Sequence, residues 1–192
     1  MFALGDSSAV RRAVFLDRDG VVNRAFLREG KPYPPSTFSD LRVLPGVRDA
    51  CQQLREAGFA LILVTNQPDI ARGTVPAGQV AEMNARLQRY LQLDDIRVCP
   101  HDDEAHCECR KPQPGLLLQA AQTWNIDLPA SYVVGDRWRD VEAGHRAGCR
   151  AIFIDHGYRE QQPDGPFLRV RSLSEAANWI LRTLQTGLLS YV

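Results

Sequence analysis

The sequence predicts an α/β protein: a doubly wound, Rossmann-like parallel sheet without a large cap domain. Short apolar runs of strand length alternate with segments whose apolar residues recur at helical spacing, the pattern of a parallel sheet covered on both faces. Several of those runs end in an acidic or hydroxyl residue, where open parallel sheets bind ligands. The 192 residues leave room for one core with a modest elaboration, so 1–192 is expected to form a single domain.

The elements follow in order. Ala13-Val-Phe-Leu16 reads as a buried first strand running into Asp17. Residues 18–45 are polar and carry Gly30, Pro32, Pro34 and Pro35, so they are expected to form a loop with a short flap, too small for a separate cap. Val47, Ala50, Cys51 and Leu54 mark a helix stopped at Gly58, and Phe59–Val64 is a second buried strand delivering Thr65-Asn66-Gln67 at its end. Val80, Met83, Leu87 and Leu91 give a second helix, followed by a short strand at Ile96–Val98. Leu117, Ala120, Ala121 and Trp124 predict a third helix after Pro114, and Tyr132–Val134 a strand ending in Gly135-Asp136. A helix over Arg139–Ala147, a strand over Ala151–Ile154, a turn-rich stretch over Gly157–Pro166 and an amphipathic helix through Ala176, Ala177, Ile180, Leu181 and Leu184 complete the chain. Trp124 and Trp179 fall on apolar stripes and are read as core.

Composition narrows the function. Lys+Arg is 23 and Asp+Glu is 23, so there is no surplus of cations to displace the counterions of a nucleic acid, and no such partner is expected. Phe59–Val64, the longest strongly apolar run, is far short of the ~20 residues that span a bilayer. Met1-Phe-Ala-Leu-Gly-Asp6 meets an acidic residue too early for a secretory signal. The expectation is a cytoplasmic monomer acting on a small molecule.

Asp17-Arg-Asp19-Gly20 places two carboxylates after the first strand; alone, such a pair reads as an acidic turn capping a helix. A second pair, in Gly135-Asp136-Arg-Trp-Arg-Asp140, changes that reading. Carboxylates gathered at adjacent strand ends repel one another unless a hard cation such as Mg²⁺ joins them. Thr65 and Lys111 add a hydroxyl and a cation suited to phosphate oxygens. Together they point to phosphoryl transfer.

Five cysteines, unevenly spaced, do not suggest a disulfide scaffold. Cys51 and Cys149 stand alone, whereas Cys99-Pro-His101 and Cys107-Glu-Cys109 form a Cys₃His set matching a closed structural zinc site, with His106 as a rival ligand. The zinc-binding loop, 99–109, would fix the segment presenting Arg110 and Lys111. Arg72, Arg110 and Arg137 are candidates for a phosphate that is not cleaved, since a guanidinium contacts phosphate bidentately. Asn66 and Gln67 are assigned to the substrate, with a turn-stabilising role equally open for Gln67.

Asp17-Arg-Asp-Gly-Val-Val-Asn23, Val64-Thr-Asn-Gln67, Cys109-Arg-Lys-Pro112 and Gly135-Asp-Arg-Trp-Arg-Asp140 resemble, in order, the four motifs of the haloacid-dehalogenase superfamily, over about residues 13–158. The resemblance implies a Mg²⁺-dependent phosphatase, with Asp17 as the nucleophile that forms an aspartyl-phosphate and Asp19 as general acid, then base. It implies Mg²⁺ held by Asp17, Asp136 and the backbone carbonyl of Asp19, with Asp140 in support. The physical logic agrees. Bringing a carboxylate to a phosphate dianion costs roughly 4 kcal/mol per charge pair at 4 Å and an effective dielectric of 20. Mg²⁺ and Lys111 offset that repulsion, and Thr65 would donate to a phosphoryl oxygen.

A zinc loop before Arg-Lys-Pro resembles two capless groups, the heptose-1,7-bisphosphate 7-phosphatases and the histidinol-phosphate phosphatases. Leu44–Val47, Gly58–Leu61, Ile70-Ala-Arg-Gly73 and Arg110-Lys-Pro-Gln-Pro-Gly115 are similar to the first group. Pro34-Pro-Ser36, Gly135-Asp-Arg137 and the five residues between His101 and Cys107 are similar to the second. Pro68-Asp69 departs from the Ser-Gly pair often found in heptose enzymes. Ile70–Gly73 borders the expected site and tips the balance toward a heptose bisphosphate, with histidinol phosphate as the alternative. A polynucleotide 3′-phosphatase is disfavoured by neutral charge, and a non-catalytic phosphate-binding module by the intact carboxylate set.

Overall fold

The structure, a computed structural model, describes residues 10–186; the N-terminal stretch Met1–Asp6 read above lies outside them. Six strands form one parallel sheet: β1 (Arg12–Leu16), β4 (Phe59–Asn66), β5 (Asp95–Cys99), β6 (Tyr132–Gly135), β7 (Arg150–Ile154) and β8 (Phe167–Val170). Their order is β5-β4-β1-β6-β7-β8. The chain steps outward from β1 to β4 and β5, then crosses to β6 on the other side of β1. The β1/β6 boundary is therefore the topological switch point, which opens a crevice beyond the carboxyl ends of these strands.

Strand alternation sorts side chains onto two faces. Val14 and Leu16 of β1, with Leu61 and Leu63 of β4, pack against α1 (Val47–Glu56), α2 (Ala77–Leu91) and α5 (Leu173–Gln185) through Leu54, Leu87 and Ile180. Ala13, Phe15, Ala60, Ile62 and Val64 face α3 (Gly115–Trp124) and α4 (Trp138–Ala147) through Leu117, Ala120 and Ala143. Both faces are covered, as a doubly wound sheet requires. Among the described residues no helix is long and apolar enough to cross a membrane.

Three features depart from the sequence reading. Within 18–45 the flap is an antiparallel hairpin, β2 (Phe26–Arg28) and β3 (Lys31–Tyr33). Its two-residue turn, Glu29-Gly30, has φ of 52° and 80°, the doubly positive backbone whose twist matches paired strands. The Arg159 amide donates to the Gly30 carbonyl at 2.9 Å and fastens this tip to the segment after β7. The second departure is β8, where only a turn-rich stretch and a helix were expected. It is a four-residue edge strand with one buried residue, Val170, so neither an apolar run nor a clean alternation announces it. The third is Trp179, which is 37% exposed and meets Tyr132 edge-on at 6.2 Å instead of lying in the core.

Candidate active site

Four chain segments converge on the crevice. Asp17 follows β1, and its amide donates to the Val134 carbonyl at 3.0 Å, continuing the ladder past the last strand residue. Asp136 follows β6, and Asp140 sits in the first turn of α4. One carboxylate oxygen from each of Asp17, Asp136 and Asp140 lies within 4.8 Å of the others. Lys111 follows the loop of Cys107 and Cys109, with its ammonium 2.5 Å from Asp17 Oδ1, 2.5 Å from Asp140 Oδ1 and 2.8 Å from the Val64 carbonyl. The other oxygen of Asp140 accepts from the Arg137 amide at 3.0 Å, so this one carboxylate both orients Lys111 and caps α4.

These groups are buried, and burial governs their protonation. The Asp17 carboxyl is raised to about 6: removal from water lifts it most, Lys111 pulls it down, and Asp140 and Asp19 push it up. Asp136 is raised well above the usual range by burial and then by Asp17 and Asp140. Burial opposes charge on Lys111, but Asp140 and Asp17 outweigh it and hold the ammonium above its ordinary range. Neither buried oxygen of Asp136 makes a hydrogen bond of ordinary geometry, although the neighbouring Tyr158 hydroxyl favours its charged form. Three clustered carboxylates, one without a well-formed hydrogen bond, fit a hard divalent cation with oxygen ligands.

Two glycines make the cluster possible. A Cβ on Gly20 would stand 1.8 Å from Asp136 Oδ2, and one on Gly135 would stand 2.0 Å from the Asp140 Cβ. Gly20 also has φ +96°, which side-chain-bearing residues rarely adopt.

Asp19 stands apart from the three carboxylates. Its oxygens accept from Asn23 Nδ2 at 2.9 Å, Gln67 Nε2 at 2.8 Å and the fully buried Arg18 at 3.0–3.1 Å. Gln67, assigned above to the substrate, is buried beneath the cleft, where its amide bonds Asp19, Thr65 Oγ1 at 2.8 Å and Arg18. Asn66 lines the cleft, but both ends of its amide are taken by the backbone of Lys111, at 3.0 and 3.1 Å. The structure thus turns these two residues toward the protein, Gln67 to the Asp19 carboxylate and Asn66 to the Lys111 segment.

The cleft above this floor has a volume of about 240 Å³. Arg72, Arg110 and Arg137 line it, together with two cations that sequence reasoning passed over, Lys31 of β3 and Arg139 of α4. Arg72 leans on Asp69 at 3.4 Å, and Arg137 Nε donates to both oxygens of the Glu160 carboxylate, at 2.9 and 3.0 Å. Arg110 and Arg139 share Asp103, at 3.0 and 3.1 Å, and Arg139 also stacks on Trp138 at 4.9 Å. The Arg110 hydrogen bond holds the Asp103 carboxyl below the ordinary range. A basic rim over an acidic floor suits an anionic ligand that meets a cation at its base.

Cys99 ends β5, and the loop after it brings His101, Cys107 and Cys109 around one point. The sulfurs are 3.2–3.6 Å apart, and His101 Nδ1 lies 3.3 Å from Cys109 Sγ and 3.6 Å from Cys99 Sγ. A tetrahedral ion with sulfur ligands at ~2.3 Å separates them by ~3.8 Å, so the set needs little adjustment to hold zinc. His106 is not in this cluster.

Comparisons with known proteins agree with this architecture. A HAD-hydrolase-like family model matches residues 108–176. The D-glycero-β-D-manno-heptose-1,7-bisphosphate 7-phosphatase of Yersinia pestis is 37% identical over 90% of this chain and 90% of its own. That of Pasteurella multocida is 38% identical over 91% and 94%. The crystal structure of D,D-heptose 1,7-bisphosphate phosphatase from B. bronchiseptica, complexed with magnesium and phosphate, superposes with a TM-score of 0.77 at 29% identity, covering 89% of this chain and 98% of that one. With its sheet order, its strand-end carboxylates and these relatives, the chain belongs to the family of HAD-like phosphatases that the heptose bisphosphate phosphatases represent.

Proposed function

We propose that this phosphatase removes the 7-phosphate of D-glycero-D-manno-heptose 1,7-bisphosphate by way of an aspartyl-phosphate on Asp17. The observation that carries the reading is the Lys111 ammonium 2.5 Å from Asp17, beside Asp140 and the buried Asp136, at the floor of a cleft with a basic rim. The names of the relatives, which span nearly the whole chain, support the sugar bisphosphate.

Asp17 attacks phosphorus as the bond to the sugar oxygen breaks, and Asp19 gives that oxygen its proton. Asp19 then takes a proton from the water that attacks the acyl phosphate, freeing inorganic phosphate and Asp17. Lys111 neutralises phosphoryl charge while holding the nucleophile. Thr65 Oγ1 already accepts from Gln67, which leaves its own hydrogen free for a phosphoryl oxygen. Arg110, with Arg139 and Lys31, receives the uncleaved phosphate at the rim. Asp17, Asp136 and the Asp19 carbonyl would hold Mg²⁺, with Asp140 in support; when bound, the ion supplies positive charge to phosphate and nucleophile together. Cys99, His101, Cys107 and Cys109 would hold Zn²⁺ as a structural ion. A small phosphorylated sugar as the sole partner, a monomeric state and a cytoplasmic location complete the reading.

The experiment is phosphate release in magnesium from heptose 1,7-bisphosphate, histidinol phosphate and a 3′-phosphorylated oligonucleotide, by the native chain and by Asp17→Asn. Release from the heptose compound, abolished in a folded Asp17→Asn, is expected. Preference for histidinol phosphate would overturn the substrate, and activity retained by Asp17→Asn would overturn the nucleophile.

A further inference from the structure

Arg18 is the largest of the fully buried side chains among the described residues, and no step above uses it. A guanidinium held away from water must have its donors satisfied and its charge met. Among the described residues Asp19 is its one ion-pair partner: Nε lies 3.1 Å from both Asp19 oxygens, and Nη2 lies 3.0 Å from Oδ2. Two neutral amides complete the shell. Nη1 donates to Asn84 Oδ1 at 3.0 Å and Nη2 to Gln67 Oε1 at 2.9 Å. Asn84 is 5% exposed and occupies the apolar face of α2, between Val80 and Met83 on one side and Leu87 and Leu91 on the other. An amide there gives up apolar contact, so its hydrogen bond to Arg18 is the feature that accounts for it.

We infer that Asn84 and Gln67 are positioning residues acting through Arg18 to hold the Asp19 carboxylate in place for proton transfer. Each does a separate part. Asn84 fixes the outer end of the guanidinium plane from α2, 66 residues away in the chain. Gln67 fixes the inner end and reaches round to Asp19 Oδ2, closing a ring of hydrogen bonds through Arg18, Asp19 and its own amide. Asn23 holds the opposite oxygen. Asp19 is thus restrained from three directions without contact between Asn84 and the nucleophile or the carboxylate cluster. The inference rests on Asp19 as the acid–base group of the proposed reaction.

The test separates the two chemical halves of that reaction. An alkyl phosphate such as the heptose compound needs a proton on its leaving oxygen, whereas p-nitrophenyl phosphate releases nitrophenolate without one. Both need a base for the second half. For Asn84→Leu, kcat on heptose bisphosphate is expected to fall about tenfold to a hundredfold, the range for losing an outer-shell partner, with KM within about threefold. First-turnover nitrophenolate release should stay within about threefold of the native rate, while its steady-state rate falls with the heptose kcat. Asn84→Asp, which keeps an acceptor oxygen toward Arg18, should recover most of the loss. Gln67→Leu should show the same split, and it decides the matter if Asn84→Leu does not fold. First-turnover release slowed as much as steady-state turnover, or no change in either, would overturn the positioning role. If the native chain released phosphate from neither substrate, the phosphatase reading would fail instead.

Discussion

Replacing Lys111 by Met removes one charge at nearly constant volume and leaves Asp17, Asp136 and Asp140 buried together with no cation among them. At 2.5 Å and an effective dielectric of 20, each of the two Lys111 contacts is worth roughly 7 kcal/mol before desolvation. The ammonium is only 2% exposed, so most of that sum offsets the cost of burying it. What remains when one member of a buried pair is lost is about 3–5 kcal/mol, or roughly 6–20 °C in Tm for a chain of this size. Thermal unfolding in chelator at about pH 7.5 measures it. The sign of the pH dependence is an independent check. The folded Asp17 carboxyl, at about 6, lies above its ordinary 3.8, so its contribution is complete below about 4 and lost as pH rises through 6. Without Lys111 the carboxyl rises further, and the variant should regain more stability than the native chain on acidification to about pH 5.5. Magnesium should likewise stabilise the variant more, by restoring positive charge, while phosphate release stays at least about a hundredfold down. A Tm in chelator within about 2 °C of native, with no extra gain on acidification, would refute Lys111 as the counter-charge.

Two further outcomes are expected. Cys107→Ser should lose bound zinc by metal analysis and raise KM more than it lowers kcat, because Arg110 rides on the loop proposed to hold zinc while Asn66 grips Lys111 separately. An equal fall in kcat would place Lys111 under zinc control. Arg110→Ala and Arg139→Ala should raise KM for the bisphosphate about tenfold and leave p-nitrophenyl phosphate nearly unchanged, as loss of a charged contact worth about 1.5–3 kcal/mol implies. Equal effects on both substrates would remove these arginines from the second phosphate.

The doubly wound sheet could be read from the chain because each central strand is a continuous apolar run, and the same runs deliver Asp17, Thr65 and Asp136 to one edge. The edge elements were harder. Leu168 and Phe167 of β8 are half-buried and follow a turn, Pro32 interrupts the alternation of β3, and Glu29 takes a positive φ that a glutamate does not announce. The partners of the site residues were not legible, since they come from distant chain segments. Nothing near Gln67 says that its amide will face Arg18, and nothing near Arg139 says that Asp103, 36 residues earlier, will hold it. Asn84, a lone amide in the apolar stripe of α2, was the one such signal within reach of sequence reasoning.

The reciprocal hydrogen bonds between Asn66 and the Lys111 backbone separate two jobs that adjoin in sequence. Residues 103–106 are exposed and lie between the two halves of the Cys₃His cluster, so their length and composition can change without moving the lysine. Asp103, which organises the arginine rim, sits in that same stretch. An insertion or exchange there would reshape what the cleft accepts and leave the hydrolytic floor intact, making this short bulge the place to begin grafting a new substrate preference.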